Sequence, residues 1–152
     1  MQFSTKEDIE APIADVFAML SDFDLFERSA IRRGIEVQRV AEPAAGLAWN
    51  TRFLLRGRQR EMRLDLVEFD TPNGMQVSAR SDGIDGLMTL DLVALSQQRT
   101  RMAIVLNLKP KTLSARLLIQ SMKLAKANLT KRFKLKVAAY AKSLEDRHRR
   151  TA

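Results

Sequence analysis

The side chains that could carry chemistry in this chain are few, and their placement removes most of what they could do. His148 is the only histidine and lies among arginines in the tail EDRHRRTA. A general base has to be held within hydrogen-bond reach of the proton it removes, so imidazole catalysis at an enclosed site is not expected. A Ser–His–Asp arrangement fails for the same reason. The chain contains no cysteine, which excludes disulfide frameworks, thiolate metal sites and a cysteine nucleophile. A metal would have to be held by carboxylates alone. Asp82 and Asp85 in SDGIDG come nearest, but Gly83 and Gly86 make that segment a hairpin turn. The six glycines are spread among turns and form no phosphate loop. No metal and no cofactor is expected.

What remains is recognition by shape, so the elements that would build a binding surface matter more. Residues 2–10 alternate, with Phe3, Thr5 and Ile9 on one side, and predict a strand. Pro12 suits a helix start, and Ile13, Val16, Phe17 and Leu20 follow at helical spacing. Asp22 can cap a second short helix that turns Leu25 and Phe26 inward, and Gly34 ends it. From Ile35 the period falls to two. IEVQRVA, LAWNTRFLLRG, QREMRLDLVEFD, GMQVSARS, IDGLMTLDLVALS and RTRMAIVLNLKP predict six strands, with turn signals at Glu42–Gly46, Gly57, Thr71–Gly74, Asp82–Gly83 and Ser96–Gln98. Such short connections favour an antiparallel meander. After Pro110 one helix is predicted to about Arg147, with an apolar stripe of Leu118, Met122, Ala125, Leu129, Phe133, Val137, Tyr140 and Leu144. Residues 1–147 read as a single domain, and 148–152 as a frayed tail.

The order strand, two helices, six strands, long helix predicts an α+β fold of seven antiparallel strands. The sheet must cover its apolar face, and the C-terminal helix is the element with enough apolar surface to do it. The charge is polarised along the chain. Residues 1–108 hold 13 Lys+Arg against 16 Asp+Glu, and residues 109–152 hold 13 against 2, a balance of +11. Those cations could form a solvated helix face, or they could meet anionic lipid headgroups. Phe133 and Tyr140 fall on the apolar stripe rather than among the lysines, so a base-stacking surface for nucleic acid is not expected. No apolar run approaches a membrane span, and MQFSTKEDIE lacks a secretory core, so a cytoplasmic location is the default expectation. Nothing in the sequence assigns an oligomeric state.

This layout, with Ile9-Glu10-Ala11-Pro12, Val16-Phe17, Leu20 and Asp22, resembles the START-like superfamily, also called the Bet v 1-like, SRPBCC or helix-grip fold. Bacterial polyketide cyclase/dehydrase-like and lipid-transport-like proteins belong to that group. The resemblance covers essentially the whole chain. It implies a curved sheet gripping the C-terminal helix, with a pocket between them for a hydrophobic small molecule or lipid. It does not imply one activity, because the fold hosts binders, carriers and enzymes.

The side chains expected to face the helix are Trp49, Phe53, Met62, Leu64, Leu66, Met75, Val77, Met88, Leu90, Met102, Ile104 and Leu106. Methionine adapts to irregular space, so this set suits a closed core or a ligand cavity. Met122 lies on the helix stripe facing them. Lys126 and Lys136 lie at the margin of the stripe. Lys126 could pair with a carboxylate or phosphate headgroup, or simply snorkel into water. Arg52, Arg56, Arg58, Arg60, Arg63 and Arg80 are expected in ion pairs on the wet face with Glu61, Asp65 and Glu68. If the chain were a cyclase/dehydratase-type enzyme, Thr51, Arg80 and Tyr140 would be its carbonyl-polarising groups.

Overall fold

A computed structural model describes residues 1–40, 46–55 and 57–151. The elements are β1 (Gln2–Ile9), α1 (Ile13–Leu20), α2 (Phe23–Arg32), β2 (Glu36–Arg39), β3 (Ala48–Leu55), β4 (Arg58–Asp70), β5 (Gly74–Ser81), β6 (Ile84–Ser96), β7 (Arg99–Pro110), α3 (Leu113–Leu124) and α4 (Lys126–Thr151). All seven strands form one antiparallel sheet in the order β1-β7-β6-β5-β4-β3-β2. Six consecutive strands therefore meander, and β1 adds to the far edge beside β7. The Glu42–Ala45 part of the first predicted turn and Arg56 lie outside the described residues.

The local signals act as their chemistry requires. Pro12 occupies the N-cap of α1 in an extended conformation, where its missing N–H costs nothing. Asp22 accepts from Leu25 N at 3.1 Å and caps α2, and Gly34 follows that helix at φ +81. Thr112 caps α3 by accepting from Ala115 N at 3.1 Å.

Helix α4 lies along β1. The Phe133 ring stands 5.8 Å from that of Phe3, and at the other end of the strand Glu10 N donates to Glu145 Oε1 at 2.9 Å. Between these points Val137, Ala141 and Leu144 are buried against Ile9, Val16, Phe17, Leu92 and Met102. Thr100, fully buried, donates its hydroxyl to Ala11 O at 2.8 Å. Each large apolar side chain closed in here contributes about 1.5–3 kcal/mol of transfer free energy.

The predicted single helix is two helices. Ala125 has φ −106 and ψ 17 and separates α3 from α4. A straight helix through both, 12 and 26 residues long, would extend roughly 57 Å, about twice the length of an eight-residue strand. The break lets α3 pack on β7 and α4 on β1. The predicted stripe changes with it. Val137 and Leu144 are buried, Met122, Leu129 and Phe133 are half-buried, and Leu118, Ala125 and Tyr140 are exposed, while α3 buries Ala115 and Ile119. Phe26, expected inside, is half-exposed with its edge on Trp49.

The tail is also different from the expected fray. Helix α4 continues to Thr151. Arg147 Nη2 lies 3.9 Å from Asp22 Oδ2, and His148 Nδ1 lies 3.7 Å from Asp15 Oδ2. A cation such as Arg147 near a helix C-terminus is favoured by its dipole, and here it meets the carboxylate that caps α2.

Candidate ligand-binding site

Strand register divides the inner, helix-facing side of the sheet into two halves. In the first, Leu90 pairs with Ile104 and Met75, and Leu92 pairs with Met102. All five are buried. In the second half the next cross-strand row runs Leu66–Val77–Met88–Leu106, ending at buried Phe3 on β1. Beyond it come Leu64, Ala79 and Leu108, and then Met62, Ser81, Ile84 and Pro110. Apart from Phe3, every one of these is only half-buried. One end of the inner face is therefore a closed core. The other is an apolar surface that the helices leave partly uncovered.

The side wall of this open half is fixed by Trp49, which is 2% exposed. Its indole N–H donates to Glu27 Oε1 at 2.8 Å, and its ring lies 5.4 Å from Phe23 and 5.5 Å from Phe26. The same Glu27 oxygen accepts from Arg39 Nε at 2.8 Å. Burial pushes the Glu27 carboxyl up, but the hydrogen bonds from Trp49 and Arg39 outweigh it and hold the group below the ordinary glutamate value. Trp49 thus clamps α2 to the sheet. Nothing in the local sequence signals a partner 22 residues away.

The remaining residues anticipated at a pocket separate by half. Met75, Leu90, Met102 and Ile104 lie in the closed core. Phe53, Met62, Leu64, Val77 and Met88 lie in the open half and are half-buried. Met122 is half-buried on α3, and Lys126 is exposed at the first position of α4. The three carbonyl-polarising candidates do not meet. Thr51 opposes Met62 and donates to Met62 O at 2.9 Å, whereas Arg80 opposes Arg63. Met62 and Arg63 are adjacent on one strand, so these pairs point to opposite faces. The bulge on β4 lies at Leu66/Glu68 and leaves the Arg63–Arg80 register intact. Tyr140 is on α4, 42% exposed. Partial desolvation raises its phenol pKa and Arg147 opposes the shift.

Two strand arginines, Arg58 at the exposed start of β4 and Arg60, depart from the expected wet-face placement. Arg60 opposes Phe53 and shares the parity of Met62 and Leu64, so it belongs to the inner side. Arg52, Arg63 and Arg80 conform: Arg52 pairs with Glu36 and Glu61, and Arg63 and Arg80 both approach Asp65. Beside these rows runs an open trough of about 730 Å³, whose lining includes Glu36, Arg52, Glu61, Arg63, Arg80 and Asp85. Its walls are charges already matched to one another, which suits water rather than an apolar molecule.

Helix α3 carries a second apolar face. Leu113, Leu117 and Leu124 recur at intervals of four and seven on the side away from Ala115 and Ile119, and Leu117 and Leu124 are 60% and 93% exposed. Arg116, Lys123 and Lys126 flank them and are exposed. No helix among the described residues is long and apolar enough to cross a membrane.

No protein-family profile and no curated protein matches the sequence. Solved structures do match in fold. Truncated norcoclaurine synthase from Thalictrum flavum superposes with a TM-score of 0.67 at 12% identity, covering 93% of this chain and 89% of that one. A protein from Thermus thermophilus gives 0.64 at 17% identity, covering 97% and 96%. Ara h 8.0201, a Bet v 1 allergen, gives 0.60 at 14% identity, covering 94% and 98%. A START superfamily protein from Mycobacterium smegmatis gives 0.54 at 13% identity, covering 86% and 95%. The chain has the Bet v 1/START-like helix-grip fold.

Proposed function

We propose that this chain binds, and carries, a hydrophobic small molecule or lipid in the cleft between the open half of the sheet and the C-terminal helices. The observation that carries this reading is the half-buried row Leu66–Val77–Met88–Leu106 at the centre of the sheet. Residues at the middle of a sheet face are normally closed over, and a row of large apolar groups left part-wet is stabilised by any apolar molecule that displaces the water. Phe53, Met62 and Leu64 extend the same surface, and Met122 and Lys126 stand on the helices that border it. Extraction of the purified protein followed by mass spectrometry is the direct test. Recovery of a stoichiometric apolar compound supports the reading. Recovery of none, together with no binding of a fluorescent fatty acid, sinks it.

The outward leucines of α3 favour a second role, docking on an anionic membrane surface where cargo is exchanged. Apolar side chains that enter the headgroup region, with cations beside them, form an interfacial anchor. Co-sedimentation with phosphatidylserine vesicles at low and high salt tests it. Binding indifferent to both salt and lipid charge would remove the electrostatic part.

A further inference from the structure

Arg60 holds a position that strand alternation gives to the inner face, opposite Phe53 and two residues before Met62. Its side chain is only 22% exposed. Among the described residues its ionic partner is Asp82, whose Oδ2 lies 3.7 Å from Nη1. The Nε atom is buried and donates to no acceptor among the described residues. A guanidinium largely removed from water with an unpaired N–H is costly until an acceptor completes it. Holding the β5–β6 turn through Asp82 would account for Nη1 and leaves Nε idle.

We propose that Arg60 binds the anionic head of the cleft's ligand, and that this ligand is an amphipathic carboxylate with a long apolar body. The proposal rests on the binding reading above. A guanidinium presents its N–H groups in a planar fork that matches a carboxylate, and such charge-assisted pairs are strongest where water is thin. From Arg60, the strand carries Met62, Leu64 and Leu66 on one face over about 20 Å, which sets a polar end and an apolar track in line. Val77 and Met88 flank that track. The head sits by the β5–β6 turn, and the body runs toward the closed core.

Calorimetric binding of dodecanoate, 1-dodecanol and dodecyl phosphate to the wild type, Arg60→Met and Arg60→Lys tests this. The wild type is expected to bind dodecanoate about 10- to 100-fold more tightly than the alcohol. Arg60→Met should lose that preference while keeping its affinity for the alcohol, and Arg60→Lys should retain part of it. If Arg60→Met does not fold, the wild-type preference and Arg60→Lys still decide. Equal wild-type affinity for acid and alcohol, or a preference that survives in Arg60→Met, overturns the anchor and leaves the cleft standing. Phosphate bound more than about tenfold tighter than carboxylate overturns the choice of head. Failure of all three probes to bind the wild type overturns the binding reading itself.

Discussion

One oxygen of Glu27 stands 2.8 Å from Trp49 Nε1 and 2.8 Å from Arg39 Nε, so a single carboxylate ties α2 to β2 and β3. Glu27→Ala would leave the indole N–H unpaired in a nearly closed site, and should cost about 1–3 kcal/mol in urea denaturation. Because Trp49 is the only tryptophan, its fluorescence reports on the clamp directly. The folded Glu27 pKa is depressed, so its contribution is present above the ordinary glutamate value of 4.5 and is lost as pH falls through the lower, folded value. Acid titration should therefore shift the Trp49 emission only below that ordinary value. A shift centred above it would contradict the assignment.

The two halves of the inner face should answer truncation differently. Met102 is fully buried, and Met102→Ala should cost about 2–5 kcal/mol by chemical denaturation. Met88 is half-buried in the open half, so Met88→Ala should cost less, under about 2 kcal/mol. Val77→Trp, which adds bulk to the cleft, should abolish binding of a fluorescent fatty acid with little loss of stability. Retained binding in that variant would place the ligand elsewhere.

Leu117→Asp with Leu124→Asp tests the membrane surface. These side chains are too exposed to support the fold, so thermal melts should be within about 0.5 kcal/mol of the wild type. Co-sedimentation with anionic vesicles should fall sharply. Unchanged sedimentation would separate α3 from any membrane contact.

Gly83→Ala tests the joint between the β5–β6 turn and α3. Gly83 has φ +77, and a Cβ there would come within 2.6 Å of Thr112 Oγ1, the cap of α3. Left-handed strain of about 1–2 kcal/mol would add to the loss of a helix cap. Melting temperature should drop, and slower tryptic cleavage within α3 in the variant would count against the account.

Period and punctuation made the architecture legible. Pro12, Asp22 and Gly34 bound α1 and α2, and the alternation of the later strands gives their inner faces correctly from Trp49 to Leu106. The break at Ala125 was not legible, because alanine is the best helix former and the apolar spacing runs through it without interruption. It follows from tertiary packing on two different strands. The side of Arg60 is readable from its parity with Met62 and Leu64, but charge alone suggests water. Which half of the sheet closes depends on where α4 rests, and no local pattern specifies that.

The joint at Ala125 has a mechanical consequence. Val137, Ala141 and Leu144 root α4 in the core well beyond it, while α3 is held by its packing on β7, Ala115, Ile119 and the Thr112 cap. The C-terminal region is thus a beam rooted in the core and a short arm joined to it at Ala125. Under the proposed binding reading, movement of α3 alone would leave the packing of Val137, Ala141 and Leu144 intact, so ligand exchange would not require the protein to sacrifice its core.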